Sequence, residues 1–404
     1  MSGSSEIANE VVAAGRVRRA LDRAGRLDDY GTTIFATMSA EAARLGAVNL
    51  GQGFPDTDGP PELLEAARAA ITAGHNQYAP GPGTPELLGA IAEHQRRFYG
   101  VEVDAASEIL VTAGATEAMA ASILALCEPG DEVVTFEPYY DSYAATIELS
   151  GARRRVVTLR PPAWQFDPDE LRAALGPSTR AILLNSPHNP TGRVFDEGEL
   201  DLIASLCVEH DLLAFTDEVY EHLIFSGAHL PLSRLPGMGD RTITISSGGK
   251  TFSATGWKIG WAIGPGRLIA AVRSVKQFLT FTSGTPFQLA IATALAFPDS
   301  YFAGLAATLK ARRDQLCDGL GAIGWTVLRP AATYFATVDV RPLGYSDGLE
   351  LCGRLVRDFK VAAIPTGVFY DHADVGKPYV RLAFCKKEEV IAEALRRLSA
   401  VPLA

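Results

Sequence analysis

The sequence is poor in the features that mark export, metal binding and membranes. Among 404 residues there are only five cysteines, Cys127, Cys207, Cys317, Cys352 and Cys385. The number is odd and no two form a Cys-x-x-Cys pair, so a reduced protein with buried thiols is the plain reading over a redox role. No window holds the roughly 18 apolar residues that a membrane span needs. The stretch "ANEVVAAGRVRRALDRAGRLDD" mixes acids and bases, unlike a signal or transit peptide. These absences point to a cytoplasmic chain. Excess positive charge is also missing: the formal net charge is −10, which argues against a nucleic-acid surface or an anionic-membrane patch. The seven histidines are scattered, with no metal-like pair at helical spacing. The Gly-rich "APGPG" is not followed by Gly-Lys-Ser/Thr, so it is no P-loop. There is no internal repeat, low-complexity tract or flexible linker.

What is present is ordinary globular composition, 47% hydrophobic and 21% charged. The chain exceeds the size at which one core stops growing, so a large domain plus a smaller one is expected. Residues 1 to about 30 read as a polar lead and a charged helix. Two Gly/Pro loops follow, "AVNLGQGFPDTDGPP" and "NQYAPGPGTP", each before a helix. From residue 108 strands alternate with helices: "EILVT", "DEVVTF", "ARRRVVTL", "TRAILLNS", "LLAFTDE", "RTITIS" and "WKIGWAIG" read as strands. Such alternation predicts an α/β fold with a mostly parallel sheet covered on both faces. Long helices dominate about 265–320, and the remaining tail reads as a small α+β domain.

Ligands of open α/β sheets bind at the carboxyl ends of strands, and four candidate groups fall at such ends. In "LVTAGATEAM", Gly114 permits a close turn and the N–H groups of Ala115 and Thr116 open a helix, where a phosphate is favoured; a plain turn has the same look. In "NSPHNPTGR", Asn185 and Asn189 flank a proline-rich loop that serves either a turn or a ligand. Asp217 stands where the apolar strand "LLAF" stops, with Tyr220 three residues on; it needs a cationic or hydrogen-bonding partner, or caps the next turn. Lys250, in "SSGGKTFSATGWKIG", follows two glycines at a strand end, with Ser247 before it and Lys258 after. Together these supply a phosphate cradle, an amide, an acid, a phenol and a lysine. Pyridoxal 5′-phosphate (PLP) has a counterpart for each.

The motifs "NLGQGFPD", "NQYAPGPG", "EPYYDSY", "NSPHNPTG", "TDEVYEHL" and "GKTFSATGWKIGW" occur in the order found in class I aminotransferases of the fold-type-I PLP family. The chain resembles the subgroup of N-succinyldiaminopimelate, kynurenine/glutamine and methionine aminotransferases over roughly residues 28–400. The resemblance implies that Lys250 condenses with the cofactor aldehyde and later serves as general base and acid. It implies that Asp217 pairs with the pyridine nitrogen, that Asn189 and Tyr220 hydrogen-bond the phenolic oxygen, and that Tyr140 stacks on the ring. Gly114, Ala115, Thr116, Ser247 and Lys258 would hold the phosphate. Tyr78 would reach the cofactor of a neighbouring subunit, making the active unit a homodimer. Arg381, in "YVRLAF", would clamp the substrate α-carboxylate, helped by Gly53 and Asn189; its place between apolar Val380 and Leu382 disfavours the alternative of a surface salt bridge. Lys258, flanked by Trp257 and Ile259, reads as a strand residue with an inward anion partner. His188 is expected to be structural.

The implied domains are an N-terminal arm (1–60) contributing to the small domain, a large PLP-binding domain (61–297) and a C-terminal small domain (298–404). Thr33 and Thr116 replace bulky aromatics of the kynurenine/glutamine relatives, which tilts the expectation toward a long, polar substrate of N-succinyldiaminopimelate type with glutamate as amino donor. Glutamine/kynurenine, methionine and arginine-like 2-oxo acids stay open. So does a PLP C–S β-lyase. A PLP-fold regulator is disfavoured because no DNA-binding domain precedes residue 28. No metal is expected.

Overall fold

Runs of β-branched and aliphatic residues, each closed by a glycine, a proline or a polar residue, become strands where both their faces can be buried. A computed structural model describes residue 31 and residues 33–403; the polar lead and charged helix expected before residue 30 lie outside the described residues. After a short strand, β1 (Val48–Asn49), seven strands build the main sheet. They are β2 (Ile109–Thr112), β3 (Glu132–Glu137), β4 (Arg153–Thr158), β5 (Thr179–Asn185), β6 (Leu213–Asp217), β7 (Thr242–Ser247) and β8 (Gly260–Ile263), in the spatial order β2-β8-β7-β6-β5-β3-β4. All share one direction except β8, which is antiparallel to both its neighbours. The mostly parallel sheet predicted from the alternation is what forms.

Helices cover the sheet because their apolar faces have nowhere else to go. Helix Ala115–Leu126 buries Ala118, Met119, Ile123 and Leu126. Helices Pro61–Thr72, Pro85–Tyr99 and Thr285–Leu295 share a second core with Trp261, Ile109 and Val111 of the sheet. Local signals set their ends. Thr84 Oγ1 accepts from the Leu87 N–H to start one helix, and Gly100, at φ 65°, ends it in the left-handed region. Asp196 and Glu199 form a capping box on helix Glu197–Glu209.

The later strands form smaller sheets. They are β9 (Thr326–Leu328), β10 (Phe335–Asp339), β11 (Val361–Ala362), β12 (Ile364–Pro365) and β13 (Tyr379–Ala383). Four of them pair antiparallel in the order β12-β13-β10-β9, while β11 pairs in parallel with β1. One hydrophobic core runs from Met38 and Leu50 through Val338, Leu355 and Phe384 to Leu398. The five cysteines are all buried and free.

One expectation needs correction. Lys258 is not a strand residue. It ends a short 3-10 turn, Thr255–Trp257, in the left-handed region at φ 56°, and β8 begins two residues later at Gly260. The alternating pattern of "WKIGWAIG" over-extends the strand because the backbone must first turn there.

Candidate active site

Because β2, β5, β6 and β7 run in one direction, their carboxyl ends share one edge of the sheet. Register then decides who meets whom. Asn185 at the end of β5 is opposite Asp217 at the end of β6. Gly260 is opposite Ser247 on one side and Thr112 on the other. The glycine turn after β2 and the lysine turn after β7 are therefore neighbours across β8.

The turn after β2 is built by glycines. Gly114 has φ 81°, and a Cβ on it would lie 3.2 Å from Lys258 Nζ. The lysine ammonium thus lies over the backbone that opens helix Ala115–Leu126, whose first turn has no side-chain cap. A Cβ on Gly260 would come within 2.5 Å of the Gly114 carbonyl carbon and 2.6 Å of Ala115 N. Only a glycine permits this approach. A cation, uncapped N–H groups and a helix dipole converge here, as an anion site requires. Ser247 is buried at the end of β7, just before the helical turn Gly248–Thr251 that carries Lys250.

Lys250 Nζ lies 5.9 Å from the Tyr220 ring centroid and 5.7 Å from that of Tyr334. Among the described residues it has no hydrogen-bond or ion-pair partner. Burial pushes its pKa below the usual value, and Asp217 only partly offsets this. Asp217, 8% exposed, accepts from the Tyr143 hydroxyl at 2.6 Å and from Val219 N at 3.3 Å. Its pKa is raised by burial against those two hydrogen bonds. Asn185 fixes the frame: its Nδ2 donates to the Asp217 carbonyl at 2.8 Å, and its Oδ1 accepts from Asn189 N at 2.7 Å. Tyr140 caps the N-terminus of helix Asp141–Ser150, its ring 5.8 Å from that of Tyr143. Burial raises the Tyr140 pKa, and the Thr116 hydroxyl bonded to it pulls the other way.

Arg381 of β13 is 1% exposed, not a surface residue. It donates to Asn189 Oδ1 and to the Gly51 carbonyl, each at 3.0 Å, and stacks 4.0 Å from the Phe335 ring centroid. Its Nε has no partner, and among the described residues no carboxylate pairs with it. Burial pulls its pKa down to about 10, so it stays charged at neutral pH. Gly53 packs against the same ring, where a Cβ would be 2.6 Å away, and its carbonyl accepts from the Tyr334 hydroxyl at 2.6 Å.

The structure thus gathers the expected residues at one sheet edge, with one exception. Tyr78 is 82% exposed, its ring edge-on to Phe281 at 5.4 Å. His188 is buried and bonded to Thr191 Oγ1 at 2.8 Å, in keeping with a structural role. Two residues escaped the sequence reading. Tyr143 was visible in principle, three residues beyond Tyr140 in the first turn of the helix that Tyr140 precedes. Tyr334 carried no local signal; the tertiary fold alone brings it to Tyr220, ring to ring at 5.3 Å.

Residues 46–398 match the family described as aminotransferase class I and II. The chain is 53% identical to the probable N-succinyldiaminopimelate aminotransferase DapC of Mycobacterium tuberculosis, over 93% of this chain and 97% of that one. It is 41% identical to the methionine aminotransferase of Escherichia coli, over 92% and 97%. The solved structure of the M. tuberculosis N-succinyldiaminopimelate aminotransferase superposes with a TM-score of 0.92, covering 94% of this chain and all of that one. The chain belongs to the class I and II aminotransferases, the PLP-dependent enzymes that move an amino group between amino acids and 2-oxo acids.

Proposed function

We propose that this aminotransferase acts on a long, polar amino acid of N-succinyldiaminopimelate type, with glutamate as amino donor. The likeness to DapC along almost the whole of both chains supports this. So does the small Thr116, which stands in place of the bulky aromatic of the kynurenine/glutamine relatives. One observation carries the amino-acid reading itself: Arg381 is a buried guanidinium without a carboxylate partner among the described residues. A substrate α-carboxylate supplies the missing charge, and a planar guanidinium grips it through two parallel hydrogen bonds.

The residues present fit PLP. The Gly114 turn with Lys258 above it, together with Ala115, Thr116 and Ser247, suits a phosphate. Asp217 suits a protonated ring nitrogen, Asn189 and Tyr220 a phenolic oxygen, and Tyr140 the ring face. When bound, PLP supplies an aldehyde carbon that takes the amino group and a ring that accepts the electron pair left at Cα. Lys250 holds the proton account. Burial favours its neutral amine, which would take a proton from the substrate Cα and return it two bonds away, at the former aldehyde carbon. Asp217, whose ionised form the Tyr143 hydroxyl favours against the opposing effect of burial, would hold the proton on that nitrogen. Arg381, oriented by Asn189 and Gly51, sets the substrate so that its Cα–H faces Lys250.

We further propose a cytoplasmic homodimer. Tyr78, Phe278, Leu279 and Phe281 are exposed apolar side chains, and Tyr78 and Phe281 touch; a second copy covering them would carry Tyr78 to its partner's site. We also propose the division into residues 61–297 and 298–404; the pairing of β1 with β11 supports the arm before residue 61 joining the latter.

The test is a panel of amino acids and 2-oxo acids, followed by single-turnover absorbance of the cofactor. Fastest turnover with N-succinyl-diaminopimelate and glutamate is expected. Fastest turnover with methionine or kynurenine overturns the substrate reading. Release of pyruvate and ammonia from cysteine conjugates without any 2-oxo acid makes the protein a lyase.

A further inference from the structure

A second cluster of titratable groups lies behind the segment that carries Asp217 and Tyr220, and the chemistry above does not use it. Strand alternation sends Asp217 to one face and Thr216 and Glu218 to the other. Glu218 Oε1 accepts from the Thr216 hydroxyl at 2.8 Å, and Oε2 pairs with His229 Nε2 at 2.6 Å. One turn on, Glu221 accepts from the Tyr99 hydroxyl at 2.6 Å and from the Ser246 hydroxyl at 2.5 Å. Both glutamates are buried. Beside them His94 Nε2 and His222 Nε2 are 2.7 Å apart.

His94, His222 and Glu221 have ligand atoms within 4.8 Å of one another, a spacing that invites a metal. The nitrogen pair argues against one. Two imidazoles on a tetrahedral zinc, at about 2.05 Å each, stand roughly 3.3 Å apart, whereas 2.7 Å suits one N–H···N hydrogen bond. Burial keeps both rings neutral, with pKa values pushed down to about 3 for His94 and about 4 for His222. The Glu221 oxygens are already taken by two hydroxyls. In this cluster the carboxylates are held by protein hydroxyls and one imidazole, and the one buried side-chain atom of the group left without a partner among the described residues is His229 Nδ1.

Its connections show what it holds. Ser246 is on β7, four residues before Lys250. Tyr99 ends helix Pro85–Tyr99. Glu221 directly follows Tyr220, and its N–H closes a turn on the Glu218 carbonyl at 2.9 Å. Residues 217 and 220 face the site; residues 218 and 221 face the network. We propose that Glu221, with Glu218 behind it, is a positioning residue for amino transfer. It ties the Tyr220 segment to β7, the strand that leads into the turn carrying Lys250, so that acid, phenol and amine keep one mutual geometry. Buried carboxylates rarely add net stability, and fixing a single arrangement is one reason to retain them. The inference rests on the roles proposed for Asp217, Tyr220 and Lys250.

The test uses the full-length, PLP-loaded protein, first shown by borohydride reduction and peptide mapping to carry the cofactor on Lys250. Glu221→Gln keeps the shape but leaves one hydroxyl without an acceptor. Its kcat is expected to fall about 10- to 100-fold, as a small misplacement of reacting groups does, with KM for the amino donor nearly unchanged. The pH midpoint of the bound cofactor's visible absorbance is expected to move, because the placement of Asp217 and Tyr220 relative to Lys250 changes. Ser246→Ala and Tyr99→Phe, each removing one donor, should show smaller shifts; they also serve if Glu221→Gln does not fold. A lowered melting temperature with parent kcat and an unmoved absorbance midpoint makes the network merely structural and overturns the proposal. Stoichiometric metal in the purified protein overturns the hydrogen-bond reading. Absence of the Lys250 adduct in the parent overturns the site assignment itself, a separate failure.

Discussion

A guanidinium at 1% exposure with an unpartnered Nε is costly unless an anion pairs with it, which is why Arg381 is a sensitive place to probe. Lysine cannot reproduce the two-bond grip, so Arg381→Lys should lower kcat/KM by about 100-fold, mostly through KM, in steady-state assays. Tyr143 touches Asp217 directly. Tyr143→Phe removes a hydrogen bond to the ionised form, so the Asp217 pKa, already raised by burial, should rise further. The acid limb of the pH–rate profile should then move to higher pH, with kcat down about tenfold. Lys250 gives a stability prediction for the cofactor-free protein. Its folded pKa lies below the unfolded value of 10.5, so the folded state binds fewer protons than the unfolded one between those two values. Stability should therefore rise with pH across that window, because the penalty of burying an ammonium is fully present below it and is relieved as the amine deprotonates. Urea midpoints measured up to about pH 10 should show the rise, and Lys250→Met should flatten it.

At the level of elements, the phosphate-side turn depends on two glycines for different reasons. Gly114 needs its positive φ, while Gly260 needs the absence of a side chain because β8 lies against the Gly114–Ala115 peptide. Gly260→Ala must push that backbone by several tenths of an ångström. A loss of about 1–3 kcal/mol of stability is expected from such overpacking, together with PLP affinity weakened about tenfold or more in fluorescence titrations, since the helix N-terminus moves with the turn. Unchanged affinity would mean that helix Ala115–Leu126 does not hold the phosphate. The mistaken strand assignment at Lys258 belongs to this scale too: alternation in sequence cannot distinguish a strand from the turn that feeds it.

For the whole molecule, the exposed aromatics near Phe281 predict an assembly. Phe278→Asp should shift sedimentation toward monomer and lower activity at high dilution; a monomeric, fully active parent would remove Tyr78 from the site. The fold class and the gathering of Gly114, Asn189, Asp217, Tyr220 and Lys250 near one sheet edge were legible because parallel strands share one polarity; the roles proposed for them come from the resemblance. Once a chain alternates strand and helix, the residues after consecutive strands must gather on one edge, however far apart they are in sequence. The partners across the fold were not legible. Arg381 meets Asn189 and Gly51, Tyr334 meets Gly53 and Tyr220, and the scattered His94 and His222 come to 2.7 Å. Those contacts join segments separated by more than a hundred residues. They depend on how two sheets and their helices pack, and packing is settled by burial of many apolar side chains at once rather than by any local pattern.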